Sequence, residues 1–161
     1  MLRVSDVWER ALHAPAAAIT QPGEVVVIRS ADSYDCKQGM SLATGVSNRS
    51  AGAQALCLHL ITIPPGTRGV PHVHDGHESA IYTVSGETEV WHGEGLRQRT
   101  VVTAGDFMYV PPGTPHLPVN RSDVTTVAVV ARTDPQEQES VVTMNLPPHL
   151  AELNAFPVAS Q

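Results

Sequence analysis

Long hydrophobic runs and clusters of positive charge are both missing from this sequence. No segment approaches the roughly 20 consecutive apolar residues that a membrane-spanning helix requires. The chain carries 10 Lys and Arg residues against 16 Asp and Glu residues, which gives a formal net charge of -6, and the basic residues form no run. Because nucleic acids and anionic membrane surfaces attract positive patches, we expect neither as a partner.

Cysteine is scarce, and this bears on the cellular compartment. Cys36 and Cys57 are the two cysteines of the chain, and they could pair. The N-terminal segment MLRVSDVWERALHA, however, lacks the apolar stretch of a signal peptide. We therefore expect a cytoplasmic protein with reduced thiols, in which Cys57, within ALCLHLITI, is a small buried hydrophobic residue.

Many short strand-like runs make up the rest of the chain. Its 161 residues and 42% hydrophobic content suit one globular domain with a substantial core. The 13 prolines and 12 glycines lie between short Val- and Thr-rich runs, a spacing that favours strands over helices. Neither the βαβ alternation of a parallel sheet nor an internal repeat is present. The pattern predicts one all-β sandwich or barrel.

The predicted elements follow the turn signals. One short helix is expected at residues 5–18, where Ser5 is a plausible N-cap and Pro15 ends or kinks the helix. Residues 31–48 read as polar and irregular, and the tail from Pro147 onward as peripheral or packed on another subunit. The predicted strands are residues 24–29, 54–63, a run ending at Val84, 87–91, 97–103, 107–110, 124–132 and 140–144.

Potential metal ligands are concentrated in the segment GTRGVPHVHDGHESAIYTVSG, residues 66–86. His72 and His74 are two residues apart, so on a strand their side chains point to the same face. His77 and Glu78 follow within four residues of His74. Neutral imidazoles and a carboxylate are ligands that divalent first-row metals accept. We interpret this segment as most of a metal site on the inner wall of a β-barrel.

Two motifs resemble those of the cupin superfamily. The first family motif is Gly, five residues, His-x-His, three or four residues, Glu, six residues, Gly; the second is Gly, five residues, Pro-x-Gly, two residues, His, three residues, Asn. The residues of this chain that fit the first motif are Gly66, His72, His74 and Glu78, and those that fit the second are Gly105, Pro111, Gly113, His116 and Asn120. The resemblance extends over residues 54–132 and implies a double-stranded β-helix, or jelly-roll, barrel with a short N-terminal arm.

One departure from the first motif concerns the carboxylate. Seven residues separate Glu78 from Gly86, where the family has six, so strict register from Gly86 places Ser79 at the glutamate position. Neighbouring residues on a regular strand face opposite ways. Either a β-bulge turns Glu78 inward, or Glu78 faces outward and the site contains three histidines, with His77 as a substitute ligand.

The resemblance implies one divalent transition-metal ion held by His72, His74, Glu78 and His116, with Fe(II) favoured and Mn, Ni, Cu or Zn as alternatives. It implies a non-haem dioxygenase or oxygenase that acts on a small organic molecule. A non-redox isomerase, lyase or decarboxylase stays open as an alternative, and so does a small-ligand-binding barrel without catalysis. If Glu78 is not a ligand, it is a candidate catalytic base.

The same resemblance suggests a division of the chain and an oligomeric state. We expect residues 1–50 to be an N-terminal arm that packs on another subunit, residues 51–133 the cupin barrel, and residues 134–161 a C-terminal extension. Single-domain relatives are commonly dimers, so a homodimer is expected, with the predicted strand at residues 24–29 packed against the partner.

Overall fold

The computed structural model describes residues 25–29, 33–136 and 140–159 of the chain. The helix predicted at residues 5–18 lies outside these ranges. Among the described residues, no helix has the length and apolar character needed to cross a bilayer.

The elements are β1 (Ser33–Asp35), β2 (Ser41–Val46), α1 (Asn48–Ala51), β3 (Cys57–Ile63), β4 (Thr67–Arg68), β5 (His72–His74), β6 (Ser79–Ser85), β7 (Glu87–His92), a 3-10 helix (Glu94–Leu96), β8 (Gln98–Thr103), β9 (Phe107–Val110), β10 (His116–Asn120), β11 (Thr126–Arg132), β12 (Val141–Thr143) and a 3-10 helix (Pro148–Ala155).

Two antiparallel sheets face each other and enclose the core. One sheet has the strand order β1-β2-β3-β11-β6-β9, and the other has the order β12-β5-β10-β7-β8, with β4 also paired to β10. Side chains from both sheets line one interior cavity. This is the all-β jelly-roll barrel that the sequence predicts. The strands predicted near residues 57–63, 79–85, 87–92, 98–103, 107–110, 126–132 and 141–143 are all present.

The alternation of side chains along each strand decides what enters the barrel. On β11, Thr126, Ala128, Val130 and Arg132 line the cavity, whereas the residues between them face away from it. Arg132 pairs directly with Ser79 of β6, and Ser79 also lines the cavity. The period of two therefore carries an arginine and a serine into an interior that is otherwise largely aliphatic.

The N-terminal part differs from the expectation in two ways. Residues 31–48, predicted as irregular, contain β1 and β2, and β2 pairs with β3 along the edge of the sheet. Met40 and Leu42 face inward and pack with Ile63, so burial of a few apolar side chains compensates for a weak strand pattern. Residues 25–29 have no regular secondary structure, because no described strand pairs with them.

The C-terminal segment, predicted to be peripheral or to pack on another subunit, lies on the outer side of the barrel of its own chain. Leu150 and Leu153 of the last 3-10 helix are 1% and 0% exposed. They form a cluster with Leu96, Leu117 and Val119 on the outer side of the sheet that contains β10. The segment thus buries apolar surface that this sheet leaves outside the cavity.

Gly86 and Asn120, the final residues of the two motifs, stabilise the loops that connect neighbouring strands. Gly86 has a φ of +79°, and a Cβ at this position would lie 2.7 Å from the carbonyl oxygen of Thr125. Asn120 is fully buried, and its amide group donates to the carbonyl oxygens of Ile63 and Val124 at 2.9 and 2.8 Å. Its side-chain oxygen accepts from the backbone N–H of Ser122 at 3.0 Å. Asn120 thus stabilises the loop that follows β10.

Replacing Asn120 by Ala is expected to lower the free energy of unfolding by about 2–4 kcal/mol, because buried carbonyl groups and an N–H then lose their partner. Urea unfolding of the purified variant measures this change. Ser122→Ala is the matched control, since it removes one partly exposed hydroxyl, and it should cost about 1 kcal/mol or less. Equal stabilities of the two variants would contradict the structural role of Asn120.

Candidate metal centre

Three histidines from two neighbouring strands meet inside the barrel. His72 and His74 come from β5 and His116 from the start of β10, where His116 pairs directly with His72. Their exposed fractions are 2%, 4% and 6%. One ring nitrogen from each lies within 4.8 Å of the others, and the ring centroids of His72 and His116 are 4.1 Å apart. The structure therefore brings together the three histidines that the motifs select.

Backbone carbonyl groups fix the tautomers of two of these rings. The Nδ1 atom of His72 lies 2.8 Å from the carbonyl oxygen of Val70, and the Nδ1 atom of His116 lies 2.9 Å from that of Thr114. A carbonyl oxygen only accepts, so Nδ1 carries the hydrogen in both rings. The lone pair is then on Nε2, which is the form in which a histidine ligand is oriented by its surroundings.

His74 has a different environment. Its Nε2 atom lies 3.3 Å from Nη2 of Arg132, a group that can only donate a hydrogen bond. Its Nδ1 atom is buried without a hydrogen-bond partner among the described residues. In the neutral ring Nε2 therefore carries the lone pair, and Nδ1 carries a hydrogen that has no acceptor among the described residues.

Burial keeps all three rings neutral at physiological pH. Burial, with smaller contributions from His116 and His74, holds the pKa of His72 well below 6.5. Burial and then the charge of Arg132 lower the pKa of His74 to about 2. Burial lowers the pKa of His116 to about 4. Since a metal binds the deprotonated imidazole, this donor set fits a divalent transition-metal ion without prior loss of protons.

Glu78 is not brought into this cluster. Its Oε2 atom accepts a hydrogen bond from the hydroxyl of Tyr109 at 2.8 Å, on the outer side of the sheet. The next residue, Ser79, is 2% exposed and lines the cavity, and its Oγ atom has no hydrogen-bond partner among the described residues. The irregularity in the pairing of β6 with β11 falls near Thr83 and Ser85 and not at Glu78. Regular alternation at the start of β6 thus directs Ser79 inward and Glu78 away.

His77 and His59 also lie outside the three-histidine cluster. Nδ1 of His77 is 3.7 Å from a carboxylate oxygen of Asp134, in a separate surface depression. His59 lines the cavity, and its Nε2 atom lies 2.9 Å from the sulfur of Cys57. His77 is therefore not placed as the substitute ligand that the sequence suggested, and His59 is a residue of the cavity wall.

The cavity beside the histidines is small and mostly aliphatic. Its volume is about 60 Å³. The aliphatic side chains that line it are Met40, Leu42, Ile61, Ile63, Ile81, Val90, Val102, Met108, Pro118, Ala128 and Val130. An apolar interior with a few convergent polar groups is typical of a site for a small ligand.

Arg132 is the functional candidate that the sequence analysis missed. It is 4% exposed and lines the cavity with the histidines. The alternation in the strand VTTVAVVAR places Arg132 on the same face as Ala128 and Val130. The sequence alone does not show that this face lines the interior of the barrel. Two other arginines, Arg99 and Arg121, contact the buried carboxylate of Glu89 at 2.6 and 3.1 Å.

Acidification is expected to destabilise the metal-free protein from about pH 6.5 downward. The folded-state pKa values of His74 and His116, about 2 and about 4, lie below the ordinary value of 6.5. The unfolded chain therefore takes up protons first, and the free energy of unfolding falls by up to about 1.4 kcal/mol per pH unit for each histidine. Urea unfolding with a chelator present measures this slope between about pH 7 and about pH 4.5.

The variant His116→Gln should give a shallower slope, since one of the buried titrating groups is gone. A wild-type stability that does not change over this range would show that the histidines are accessible to protons in the folded state.

Comparison with known proteins supports the architecture. A family model described as a cupin domain matches residues 59–132. No protein with a curated description matches the sequence. Among solved structures, an uncharacterised conserved protein from Klebsiella pneumoniae with a double-stranded β-helix domain is similar, with 16% identity, a TM-score of 0.56, and coverage of 90% of this chain and 99% of that one.

Two oxalate decarboxylases are also similar in structure. The enzyme from Lactobacillus farciminis has 18% identity and a TM-score of 0.61 over 71% of this chain and 33% of its own. The enzyme from Bacillus subtilis, which has Mn(II) centres, has 21% identity and a TM-score of 0.59 over 72% of this chain and 32% of its own. The chain thus spans about a third of the length of these enzymes, and at this identity the likeness concerns the fold.

Three independent observations now agree. The motif spacing selects His72, His74 and His116, the structure gathers them inside a two-sheet barrel, and residues 59–132 match the cupin domain. Residues 59–132 of the chain therefore form a domain that matches the cupin domain.

Proposed function

We propose that this chain is a metal-dependent cupin enzyme of the dioxygenase type, in which His72, His74 and His116 hold one divalent transition-metal ion. The observation that carries the proposal is the set of three buried, neutral imidazoles at the wall of a mostly apolar cavity. When bound, such an ion supplies a redox-active, electron-accepting centre with positions left open for small molecules.

Fe(II) is the metal we favour, and Mn(II) is the next choice. Three imidazole ligands suit several first-row metals, so geometry and availability decide which one is bound. The Mn(II) centres of the Bacillus subtilis relative support manganese as an alternative within this fold. Zinc stays a further alternative, since it too binds imidazole.

The residues around the cavity support oxygen chemistry over proton transfer. An isomerase or lyase needs a general acid or base within reach of its substrate. Glu78 and His77, the two candidates for that role, do not line the cavity, and its titratable lining residues are the three clustered histidines, His59 and Arg132. A dioxygenase reaction places both atoms of O2 in the product and needs no separate reductant, while the aliphatic walls admit O2 and exclude water.

A homodimer stays a prediction, and one surface supports it. The outer face of β6 and β9 exposes Tyr82, Phe107 and Tyr109 at 38%, 84% and 60%. The rings of Tyr82 and Phe107 are in contact, with centroids 4.7 Å apart. Contiguous exposed aromatic residues on a sheet face are typical of protein–protein interfaces.

Metal content should separate the ligands from their neighbours. We expect His116→Ala to lose bound metal and to lose the increase in melting temperature that metal gives to the wild type, because an ion that binds only the folded state stabilises it. Glu78→Ala and His77→Ala should retain metal near the wild-type level. Elemental analysis of untagged protein with parallel thermal unfolding measures both effects. Loss of metal in Glu78→Ala alone would overturn the three-histidine assignment.

Oxygen uptake tests the reaction class. The iron-loaded wild type, offered a panel of small diols, catechols and 2-hydroxy and 2-keto acids, should consume O2 with at least one of them, and His116→Ala should not. An oxygen electrode follows the uptake, and mass spectrometry with labelled O2 shows whether both atoms enter the product. Turnover under strict anaerobiosis would instead indicate a non-redox isomerase, lyase or decarboxylase. Binding without turnover in either atmosphere would indicate a binding module.

A further inference from the structure

Three buried residues of the cavity wall carry side-chain oxygens that the described chain does not satisfy. They are Gln38, Ser79 and Thr88, and their exposed fractions are 2%, 2% and 4%. All three line the cavity, and their side-chain oxygens are buried without a hydrogen-bond partner among the described residues. Buried polar atoms are nearly always paired in native proteins, so three of them around one cavity indicate a polar occupant.

A threonine in the same wall provides a contrast. Thr126 lines the cavity and is 3% exposed, but its hydroxyl donates to the carbonyl oxygen of Glu87 at 2.6 Å. Thr126 and Thr88 are thus equally buried, and they differ in whether the fold itself uses the hydroxyl group. An unpaired buried hydroxyl lowers the stability of the ligand-free protein, because it has lost water and gained no partner.

Ser79 lies at the end of the cavity that contains the histidines. It is directly paired with Arg132 on the neighbouring strand β11, and Nη2 of Arg132 is 3.3 Å from Nε2 of His74. Directly paired residues of antiparallel strands have Cβ atoms roughly 5 Å apart. The hydroxyl of Ser79 is therefore placed to contact a molecule that lies beside the three-histidine cluster.

Gln38 and Thr88 lie farther along the barrel. Thr88 is two residues from Val90 on the same face of β7, and Val90 pairs directly with Pro118 of β10. Gln38 is in the turn between β1 and β2. A Cβ atom at Gly69 would lie 3.0 Å from the carbonyl oxygen of Gln38 and 3.1 Å from Cγ of Pro118. Both side chains therefore border the part of the cavity near Pro118.

The chemistry of the three atoms restricts the occupant to neutral hydroxylated molecules. An amide oxygen only accepts a hydrogen bond, whereas a hydroxyl group both donates and accepts. A ligand hydroxyl can donate to Gln38 and can exchange hydrogen bonds with Ser79 and Thr88. A carboxylate has no hydrogen to donate to Gln38. A cation needs a buried acidic partner, and the described residues that line the cavity include no Asp or Glu.

The dimensions of the cavity restrict the size of the occupant. A water-sized group needs roughly 10–15 Å³ of such space, so the volume of about 60 Å³ holds roughly four to six non-hydrogen atoms. His116 and Pro118 both line the cavity and are two residues apart on β10, which is roughly 7 Å along the strand. A molecule with three carbons and a hydroxyl group at each end suits this interval.

We propose that the cavity takes a small neutral polyol or hydroxyketone, with one hydroxyl group bound by Gln38 and Thr88 and another by Ser79 beside the histidines. This inference rests on the proposed function for the reaction itself, and it names the class of substrate. Gln38 and Thr88 are then specificity-determining residues that lower the stability of the ligand-free protein, which is a common cost of a binding site.

Thermal unfolding of the ligand-free, metal-free full chain tests the state of the hydroxyl group. Thr88→Val should raise the melting temperature by about 2–4 °C, because a methyl group of similar shape replaces a hydroxyl without a partner. Thr126→Val is the matched control. It should lower the melting temperature by about 2–4 °C, because it leaves the carbonyl oxygen of Glu87 without its donor.

Calorimetric titration with 1,3-dihydroxyacetone, a neutral three-carbon hydroxyketone, tests the ligand class. Acetone is the matched probe without hydroxyl groups, and glycerate is the probe with a carboxylate. The wild type should bind dihydroxyacetone at least tenfold more tightly than either. Thr88→Val and Gln38→Met should each weaken this binding by about three- to tenfold, the effect of one lost hydrogen bond, and Thr126→Val should bind as the wild type does.

Three results would overturn the inference. A melting temperature of Thr88→Val that falls like that of Thr126→Val would show that the fold itself satisfies the hydroxyl group. A more stable Thr88→Val in a protein that binds none of the three probes would show that the polar atoms hold buried water only. Binding of glycerate as tight as that of dihydroxyacetone would remove the neutral class.

A parallel titration of the wild type with Mn²⁺ separates this inference from the proposed function, because hydroxyl recognition by Gln38 and Thr88 does not require an ion. Binding of dihydroxyacetone that Thr88→Val weakens, in a protein that binds neither Mn²⁺ nor Fe²⁺, would support the ligand class and overturn the metal-dependent function. Binding of Mn²⁺ that is lost in His116→Ala, in a protein that does not bind dihydroxyacetone, would overturn the ligand class alone.

Discussion

The burial of three neutral imidazoles between two sheets is the constraint on which this structure depends. A histidine in an apolar interior keeps its place only if its ring nitrogens are used, because an unsatisfied buried polar group is costly. The carbonyl groups of Val70 and Thr114 use one nitrogen of His72 and His116. The remaining nitrogens lie near each other across the pairing of β5 with β10, in an arrangement that a single metal ion would satisfy.

The side chains that line the interior determine the electrostatic environment of the three histidines. Aliphatic side chains surround the histidines and lower their pKa values by removing water, so the donor atoms are ready at physiological pH. The inward pair of Ser79 and Arg132 replaces a carboxylate by a hydroxyl and adds a positive charge. Carboxylates of the chain are instead used elsewhere, as in the contacts of Glu89 with Arg99 and Arg121. Fold and chemistry are therefore separable, since the same barrel would accept either charge at this position.

The prediction of strands succeeded where hydrophobic alternation along the sequence was clear. It failed where contacts between distant parts of the chain determine the structure. Alternating Val-, Ile- and Thr-rich runs between Gly and Pro turns identified β3, β7, β8 and β11 within a few residues. β10 was not predicted as a strand, because its five residues include a proline and follow a proline-rich segment. β1 and β2 have little hydrophobic alternation, and they are held by pairing with β3 and by the burial of Met40 and Leu42. The burial of Leu150 and Leu153 depends on an apolar patch on the outer side of the sheet that contains β10, and no local sequence pattern reveals this patch.

The sequence by itself determined the cupin-type domain, the barrel and the three clustered histidines, because these depend on spacing along the chain. His72 and His74 are two residues apart and share a strand face in any register, and a rigid Pro-Gly loop precedes His116. Only the tertiary structure decided that Ser79 and Arg132 face the cavity and that Glu78 does not. A shift of one residue reverses every side chain of a strand, and the register of β6 is set by its pairing with β9 and β11, which lie far along the chain.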